Sequence, residues 1–380
     1  MIYLDNSATT KPFPEVLNSF MKVSSDYFGN PSSLHNFGGK AEQLLRQARQ
    51  QVANILSVKP NELIFTSGGT EGNNLAIKGA AYANSKKGRH LITTNIEHAS
   101  VREVFHSLKE DGFTITIIEA DHDGKVNPED IKNAMRNDTI LVSVMHVNNE
   151  VGTIQPIEEI GNMIKKYQNA LFHVDYVQGV GKVPLDFEQC HIDLCTMSGH
   201  KFHGLKGTGL LFAKEGIKIN PLFNGGNQEA TFRSGTENVA GAVSLAKALR
   251  MTMEKFQYEK NHLQSLSDEL RKGLASIQGV LINTPEIDSA PHIMNFSIPP
   301  IKSEVFVHAL EEKEIYVSTT SACSSKQKTN SSTLMAMGVT KERANSAIRV
   351  SLSYWNTMEE IKMALDAIEE TIDALRKVMK

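Results

Sequence analysis

The chain has almost nothing that would mark it as secreted, membrane-bound or nucleic-acid-binding. Its 380 residues include only three cysteines, Cys190, Cys195 and Cys323. An odd, scattered set of that kind argues against a disulfide framework and for a reducing compartment, so a cytoplasmic location is expected. No apolar run approaches the roughly 18 residues that span a bilayer. The opening Met1-Ile2-Tyr3-Leu4-Asp5-Asn6 has neither the basic region nor the apolar core of a signal peptide. Like charges do not form blocks and the formal net charge is only -3, which gives no electrostatic footprint for nucleic acid or an anionic membrane. Internal repeats are absent, as are a Walker loop and the Gly-x-Gly-x-x-Gly dinucleotide spacing.

The content that remains, 40% hydrophobic and 22% charged, is that of a globular protein long enough for two domains. Between residues 60 and 215 short β-rich runs alternate with helical patterns. Leu63-Ile64-Phe65-Thr66, Leu91-Ile92-Thr93-Thr94, Thr114-Ile115-Thr116-Ile117-Ile118 and Leu141-Val142-Ser143-Val144 read as strands. Leu171-Phe172-His173-Val174, Leu194-Cys195-Thr196-Met197 and Gly209-Leu210-Leu211-Phe212 complete seven. Helical patterns such as 73–87 and 157–167 separate most of them, which predicts a mostly parallel sheet covered on both faces. Residues 238–276 lack proline and read as one long helix or a bent pair. Strand-like Ile293-Met294-Asn295-Phe296-Ser297 and Ala347-Ile348-Arg349-Val350-Ser351-Leu352 follow, with a helix near 303–312. A closing helix carries Ile361, Leu365, Ile368, Ile372 and Leu375 at helical spacing, a stripe expected to face a core. The expected division is a large α/β domain over 15–255 and a smaller α+β domain from 1–14 and 256–380.

Doubly covered sheets bind ligands beyond the carboxyl ends of their strands. The polar residues there are the first candidates for chemistry: Thr70, His98, Asn149, Asp175, Gln178 and Lys201. Asp175 closes a strand, and 26 residues later Lys201 stands in the turn Ser198-Gly199-His200-Lys201. Pyridoxal phosphate (PLP) needs such a pair, a carboxylate to keep the pyridine nitrogen protonated and a lysine to form the Schiff base. Thr66-Ser67-Gly68-Gly69-Thr70-Glu71-Gly72-Asn73-Asn74 supplies the outline of a phosphate cradle, where glycines admit close backbone approach and a helix N-terminus offers free N–H groups. Each feature alone has a plain structural reading as a helix-capping Asp, a surface Lys or an ordinary Gly-rich turn. Together they reinforce one another.

The segment from Thr319 to Thr333 has nine Ser or Thr in fifteen residues and carries Cys323 near its start. It is expected to be a mobile loop, since it cannot bury enough surface to order itself. Lys326 and Lys328 would favour the thiolate of Cys323, whereas Cys190 and Cys195 sit amid strand-like residues and look buried. A rival reading takes Cys190, His191, Cys195, His200 and His203 as a metal cluster. Their spacing follows no compact zinc pattern and competes with Lys201 for one turn, so no metal is expected.

End to end, the chain resembles the NifS/IscS-type cysteine desulfurases, PLP enzymes of fold type I, the aspartate-aminotransferase fold within aminotransferase class V. The match runs through Tyr3-Leu4-Asp5-Asn6-Ser7-Ala8-Thr9-Thr10, Gly29-Asn30-Pro31-Ser32-Ser33, the cradle segment, Glu97-His98 and His146-Val147-Asn148-Asn149-Glu150. It continues in Ser198-Gly199-His200-Lys201, Arg233-Ser234-Gly235-Thr236-Glu237-Asn238 and Ser321-Ala322-Cys323-Ser324-Ser325. The resemblance implies that Lys201 carries the cofactor and moves protons, that Asp175 pairs with the ring nitrogen, and that Gln178 and Asn149 bond the ring hydroxyl side. It implies a phosphate site of Gly69, Thr70, Ser198 and His200, joined by Thr236 from the other subunit of a homodimer. His98 would stack on the ring and assist proton transfer, and Arg349, with Asn149, would bind the substrate carboxylate. Cys323 would take sulfur from L-cysteine as a persulfide, release L-alanine and pass the sulfur to an acceptor protein, with a selenocysteine lyase or another class V aminotransferase as the alternatives. His203 and Leu205 stand where relatives often carry Tyr and Pro, a difference expected to tune the turn. The chain stops at Lys380, without the further tail by which IscS-type members dock an iron–sulfur scaffold. That favours a dedicated relay such as tRNA thiolation, with no direct nucleic-acid contact and no membrane.

Overall fold

The computed structural model describes residues 1–319 and 331–378. Its centre is a seven-stranded sheet in the spatial order Leu63–Thr66, Gly209–Ala213, Leu194–Ser198, Leu171–Asp175, Thr139–Met145, His90–Thr94, Thr114–Ile118. Gly209–Ala213 runs antiparallel to both neighbours, and the other pairings are parallel. This is the mostly parallel α/β sheet expected from the alternation of strands and helices.

The strands are largely apolar and, except at one edge, buried because both faces are covered. Leu91, Leu141, Leu194 and Leu211 point into one cluster with Leu75, Ile77 and Ala80 of the helix Gly69–Asn84. Their neighbours Ile92, Val142, Cys195 and Leu210 point the other way, into a cluster with Leu45 and Val52 of Asn36–Leu56 and Ile160 of Ile157–Ile164. The period-2 switch between two buried faces is what erases the usual alternation with polar residues. Thr114–Ile118, at the sheet edge, is the strand with exposed positions. Cys190 and Cys195 are both buried, as expected, although Cys190 lies in a turn and only Cys195 in a strand.

Residues 238–276 form one unbroken 38-residue helix, Val239–Ser276. Ala242, Leu245 and Leu249 at its start pack under the large sheet, while Leu263, Leu266, Leu270 and Leu274 belong to a second core. That core holds Ile2 and Leu4 from the start of the chain, Met294, Phe296, Ile348 and Val350 from strands, and Ile361, Ile368 and Ile372 from the closing helix Met358–Val378. Leu365 and Leu375 pack against it partly buried, so the apolar stripe is a core stripe. A four-stranded antiparallel sheet, Ser318–Thr319, Ala347–Ser351, Ile293–Ser297 and Leu281–Ile282, forms its other wall. The first strand, Ile2–Tyr3, pairs in parallel with Ile315–Tyr316. Among the described residues no helix is long and apolar enough to cross a membrane.

Candidate active site

Asp175, Ser198 and the Lys201 turn lie at one end of the large sheet. Asp175 is the last residue of its strand and 5% exposed. Its Oδ1 accepts the Val177 N–H at 3.0 Å and its Oδ2 accepts Asn73 Nδ2 at 2.9 Å. The two donors, one on each oxygen, hold the carboxylate in one orientation. Asn73 is itself buried inside the helix Gly69–Asn84 and also donates to Ser100 Oγ at 2.9 Å. Sequence reading placed Asn73 in the cradle motif without a role. The clue was a polar residue at a position whose helical neighbours are apolar.

Beside this carboxylate lies the glycine-rich turn. The helix begins at Gly69, four residues earlier than the pattern predicts, which places Thr70 in its first turn. Gly68 has φ +153°, a conformation other residues rarely adopt. A Cβ on Gly69 would lie 3.0 Å from Val177 Cγ2 and 3.4 Å from Ser198 Cβ, and one on Gly72 would lie 2.7 Å from Thr196 Cγ2. Glycine thus lets the amino end of a 16-residue helix come down onto the ends of two strands. Ser198 ends its strand and is buried; His200 follows in the turn Gly199–Lys201, its Nδ1 3.2 Å from Thr9 Oγ1. Burial, with help from Lys201, Lys206 and Lys182, pushes His200 down to about 4. It is therefore a neutral hydrogen-bonding group at neutral pH. Thr236 is exposed, three residues after Arg233, which ties its turn to the cradle through a 3.0 Å ion pair with Glu71.

His98 caps the helix Ala99–Glu110. Its Nδ1 accepts the Ser100 N–H at 3.1 Å, which leaves Nε2 to carry the ring proton. Burial lowers its pKa, Asp175 opposes that shift and Lys201 adds to it. The preceding Glu97 is fully buried. Its Oε1 accepts Thr94 Oγ1 at 2.8 Å and the Met145 N–H at 2.9 Å, its Oε2 has no partner, and burial raises it to about 8. Sequence reading singled out His98 and passed over this acid.

The first residues of the chain build the facing wall, a role that their sequence motif does not announce. Lys201 Nζ donates to the carbonyl of Ser7 and, at 2.8 Å, to that of Ala8. Gln178 Nε2 donates to the same Ser7 carbonyl at 3.0 Å, and its buried Oε1 is unpartnered. Thr10 Oγ1 donates to the His200 carbonyl at 2.9 Å and accepts the His203 N–H at 2.7 Å. Beneath the turn, the buried Lys182 donates from Nζ to the carbonyl of Lys201 at 2.8 Å. His203, at φ +61°, packs between Phe13 and Trp355.

Arg349, on the strand Ala347–Ser351, is 5% exposed. Nη1 donates to the Asn149 main-chain carbonyl at 2.9 Å, Nη2 donates to Asp5 Oδ1 at 3.0 Å, and Nε is buried without a partner. Asn149 thus reaches the arginine through its backbone. Cys323, Lys326 and Lys328 lie outside the described residues. Among the described residues no three His, Cys, Asp or Glu side chains come together as a metal site.

The fit to PLP can be tested on these atoms. The site offers a buried carboxylate with a donor on each oxygen, a glycine cradle at a helix start with Ser198 and His200 beside it, and an unpartnered Gln178 Oε1. These suit a pyridinium nitrogen, a phosphate and a ring substituent respectively, with Lys201 at hand for an aldehyde.

The family described as aminotransferase class-V matches residues 2–363. A NifS/IcsS protein homolog of Lactobacillus delbrueckii subsp. bulgaricus is 45% identical over 380 residues, 100% of this chain and 99% of the relative. The cysteine desulfurase IscS of Dictyoglomus turgidum is 42% identical over 378 residues, 99% of this chain and 96% of its own. A solved NifS-like protein superposes with a TM-score of 0.93 at 39% identity, covering 98% of this chain and 99% of that one.

Proposed function

The chain belongs to the class-V aminotransferase family and is a PLP-dependent cysteine desulfurase of the NifS/IscS type, and from that premise we propose the roles its own residues take. The observation that carries the assignment is the buried Asp175 carboxylate, fixed by Asn73 and the Val177 N–H, at the same sheet end as the Lys201 turn. Asp175 holds a proton on the ring nitrogen. Gly69, Thr70, Ser198 and His200 hold the phosphate, with Thr236 of a second subunit completing the site in a homodimer. Asn149 and Gln178 face the ring substituents. Bound there, PLP supplies an electron-withdrawing ring that stabilises negative charge on the substrate α-carbon.

Arg349 grips the L-cysteine carboxylate. Lys201 Nζ takes the α-proton and returns it, and Ser7 and Ala8 offer carbonyls to that nitrogen whenever it is free of the cofactor. His98, with its proton on Nε2, covers the ring and assists these transfers. Cys323 then attacks the substrate sulfur as a thiolate. A sulfur–sulfur bond forms as the carbon–sulfur bond breaks, the electron pair of that bond leaves with the β-carbon, which takes up a proton, and the products are a Cys323 persulfide and L-alanine. The persulfide passes to a cytoplasmic acceptor, a tRNA-thiolation enzyme or an iron–sulfur scaffold.

Borohydride reduction followed by peptide mass spectrometry should place the cofactor on Lys201 and bleach the visible band. Label on another lysine removes the assignment. Cys323→Ala should keep the coloured cofactor and lose alanine formation from cysteine. Retained turnover there assigns the chemistry to an elimination that needs no nucleophilic cysteine.

A further inference from the structure

Arg349 does not wait for substrate with an empty fork. Of its five N–H donors, one on Nη1 is bound to the Asn149 carbonyl at 2.9 Å and one on Nη2 to Asp5 Oδ1 at 3.0 Å, while the buried Nε–H is unmet. Asp5 is fixed by its own backbone. It bridges Ser351, its carbonyl accepts the Ala8 N–H at 3.1 Å and Tyr3 Oη at 3.2 Å, and the flanking Ser351 N–H donates to Leu4 at 2.6 Å. The main chain that carries this carboxylate is therefore held in place beside the arginine. Burial raises the Asp5 pKa, while Arg349 and then Lys201 pull it down.

We propose that Asp5 is a positioning residue for substrate binding: it pins the plane of the Arg349 guanidinium so that the donors left over meet the α-carboxylate of the incoming amino acid. The inference rests on the reading of Arg349 as the carboxylate grip. A guanidinium is planar, and two acceptors on different Nη atoms stop rotation about its last bonds. The donors that remain then lie in one fixed direction before substrate arrives, and pre-set geometry of that kind is what makes bidentate capture effective. A buried guanidinium with no anion beside it would also be costly while the site stands empty. Asp5 removes that cost while engaging only one donor on Nη2, so the remaining donors stay open to the substrate.

The test uses the cofactor-loaded enzyme and two unreactive ligands, S-methyl-L-cysteine and its decarboxylated analogue S-methylcysteamine, titrated by the shift of the visible band. Asp5→Ala should weaken S-methyl-L-cysteine by about tenfold or more, the scale of one lost charged hydrogen bond, and leave S-methylcysteamine within about twofold. Asp5→Asn keeps an acceptor for Nη2 and should recover most of the lost affinity. In turnover of L-cysteine the KM of Asp5→Ala should rise far more than kcat falls. Equal weakening of both ligands would mean general damage and overturns the proposal, as does unchanged binding of S-methyl-L-cysteine. Should Asp5→Ala fail to fold, Asp5→Leu and Asp5→Asn carry the same comparison. Arg349→Lys separates the two levels of the argument. If it leaves S-methyl-L-cysteine binding intact, the carboxylate-grip reading falls; if it weakens binding and Asp5→Ala does not, only the role of Asp5 falls.

Discussion

Glu97 gives the sharpest quantitative test, because a buried acid whose second oxygen has no partner should govern how stability responds to pH. Burial raises its pKa from the ordinary 4.5 to about 8, against the opposing bonds from Thr94 and Met145. Folded, the side chain keeps its proton up to about 8; unfolded, it loses it at 4.5. Its share of stability is thus complete below pH 4.5 and is withdrawn as pH rises through 8. At about 1.36 kcal/mol per pH unit the loss is roughly 3 kcal/mol by pH 7 and roughly 5 kcal/mol by pH 9. Glu97→Gln imitates the protonated acid: its carbonyl oxygen still accepts both bonds and its amide cannot ionise. Urea unfolding of the cofactor-free protein should therefore show the variant within about 1 kcal/mol of wild type at pH 5 and ahead by roughly 5 kcal/mol at pH 9. An infrared band for the neutral carboxyl should vanish in Glu97→Gln and titrate near 8 in wild type. A stability gap that ignores pH would refute the reasoning, since other groups cancel in the difference.

Lys182 should behave in the mirror sense. Burial, and then Lys201, lowers it from 10.5 to about 7, so its cost is full below pH 7 and fades towards 10.5. Lys182→Met should be more stable than wild type at pH 6 by a few kcal/mol after about 1 kcal/mol is lost with the Lys201 carbonyl bond, and the gap should close as pH rises to 10.5. Denaturant midpoints across that range check it. Asn73→Ala removes one of two donors from Asp175 and should weaken cofactor retention roughly 10- to 100-fold, read by loss of the visible band on dilution. Gly161→Ala, which would help an ordinary helix, should here cost about 3 kcal/mol or more, because its Cβ would fall 1.8 Å from the Cys190 carbonyl oxygen. A thermal midpoint equal to wild type would contradict that.

How far the site could be read from sequence depended on the range of each signal. Leu171–Asp175 and Leu194–Ser198 end in polar residues after apolar runs, so Asp175, Ser198 and Lys201 announce themselves locally. The seven strands were visible for the same reason, since full burial on both faces writes itself as continuous apolar runs. Asn73, Glu97 and Lys182 were not assigned a role, because what distinguishes them is burial and partners supplied by other elements. Asp5 is the extreme case. It meets Arg349 across 344 positions of sequence, a separation that no periodicity spans. The single helix Val239–Ser276 was foreseen only as one of two options, since its apolar face changes partner midway from one core to the other.

The wall made by residues 5–10 also has a consequence for biogenesis. Asp5 and Asn6 leave the ribosome long before their partners Arg349 and Ser351. At about 5–20 residues per second, Asp5 waits roughly 17–70 s for Arg349 to be synthesised. Through that interval the large sheet, with Asp175 and Lys201, can form, but the Asp5–Arg349 pair proposed to grip the substrate cannot. A chain that stops short of Arg349 is therefore expected to form the sheet end that carries Asp175 and Lys201 while lacking the proposed grip on the cysteine carboxylate.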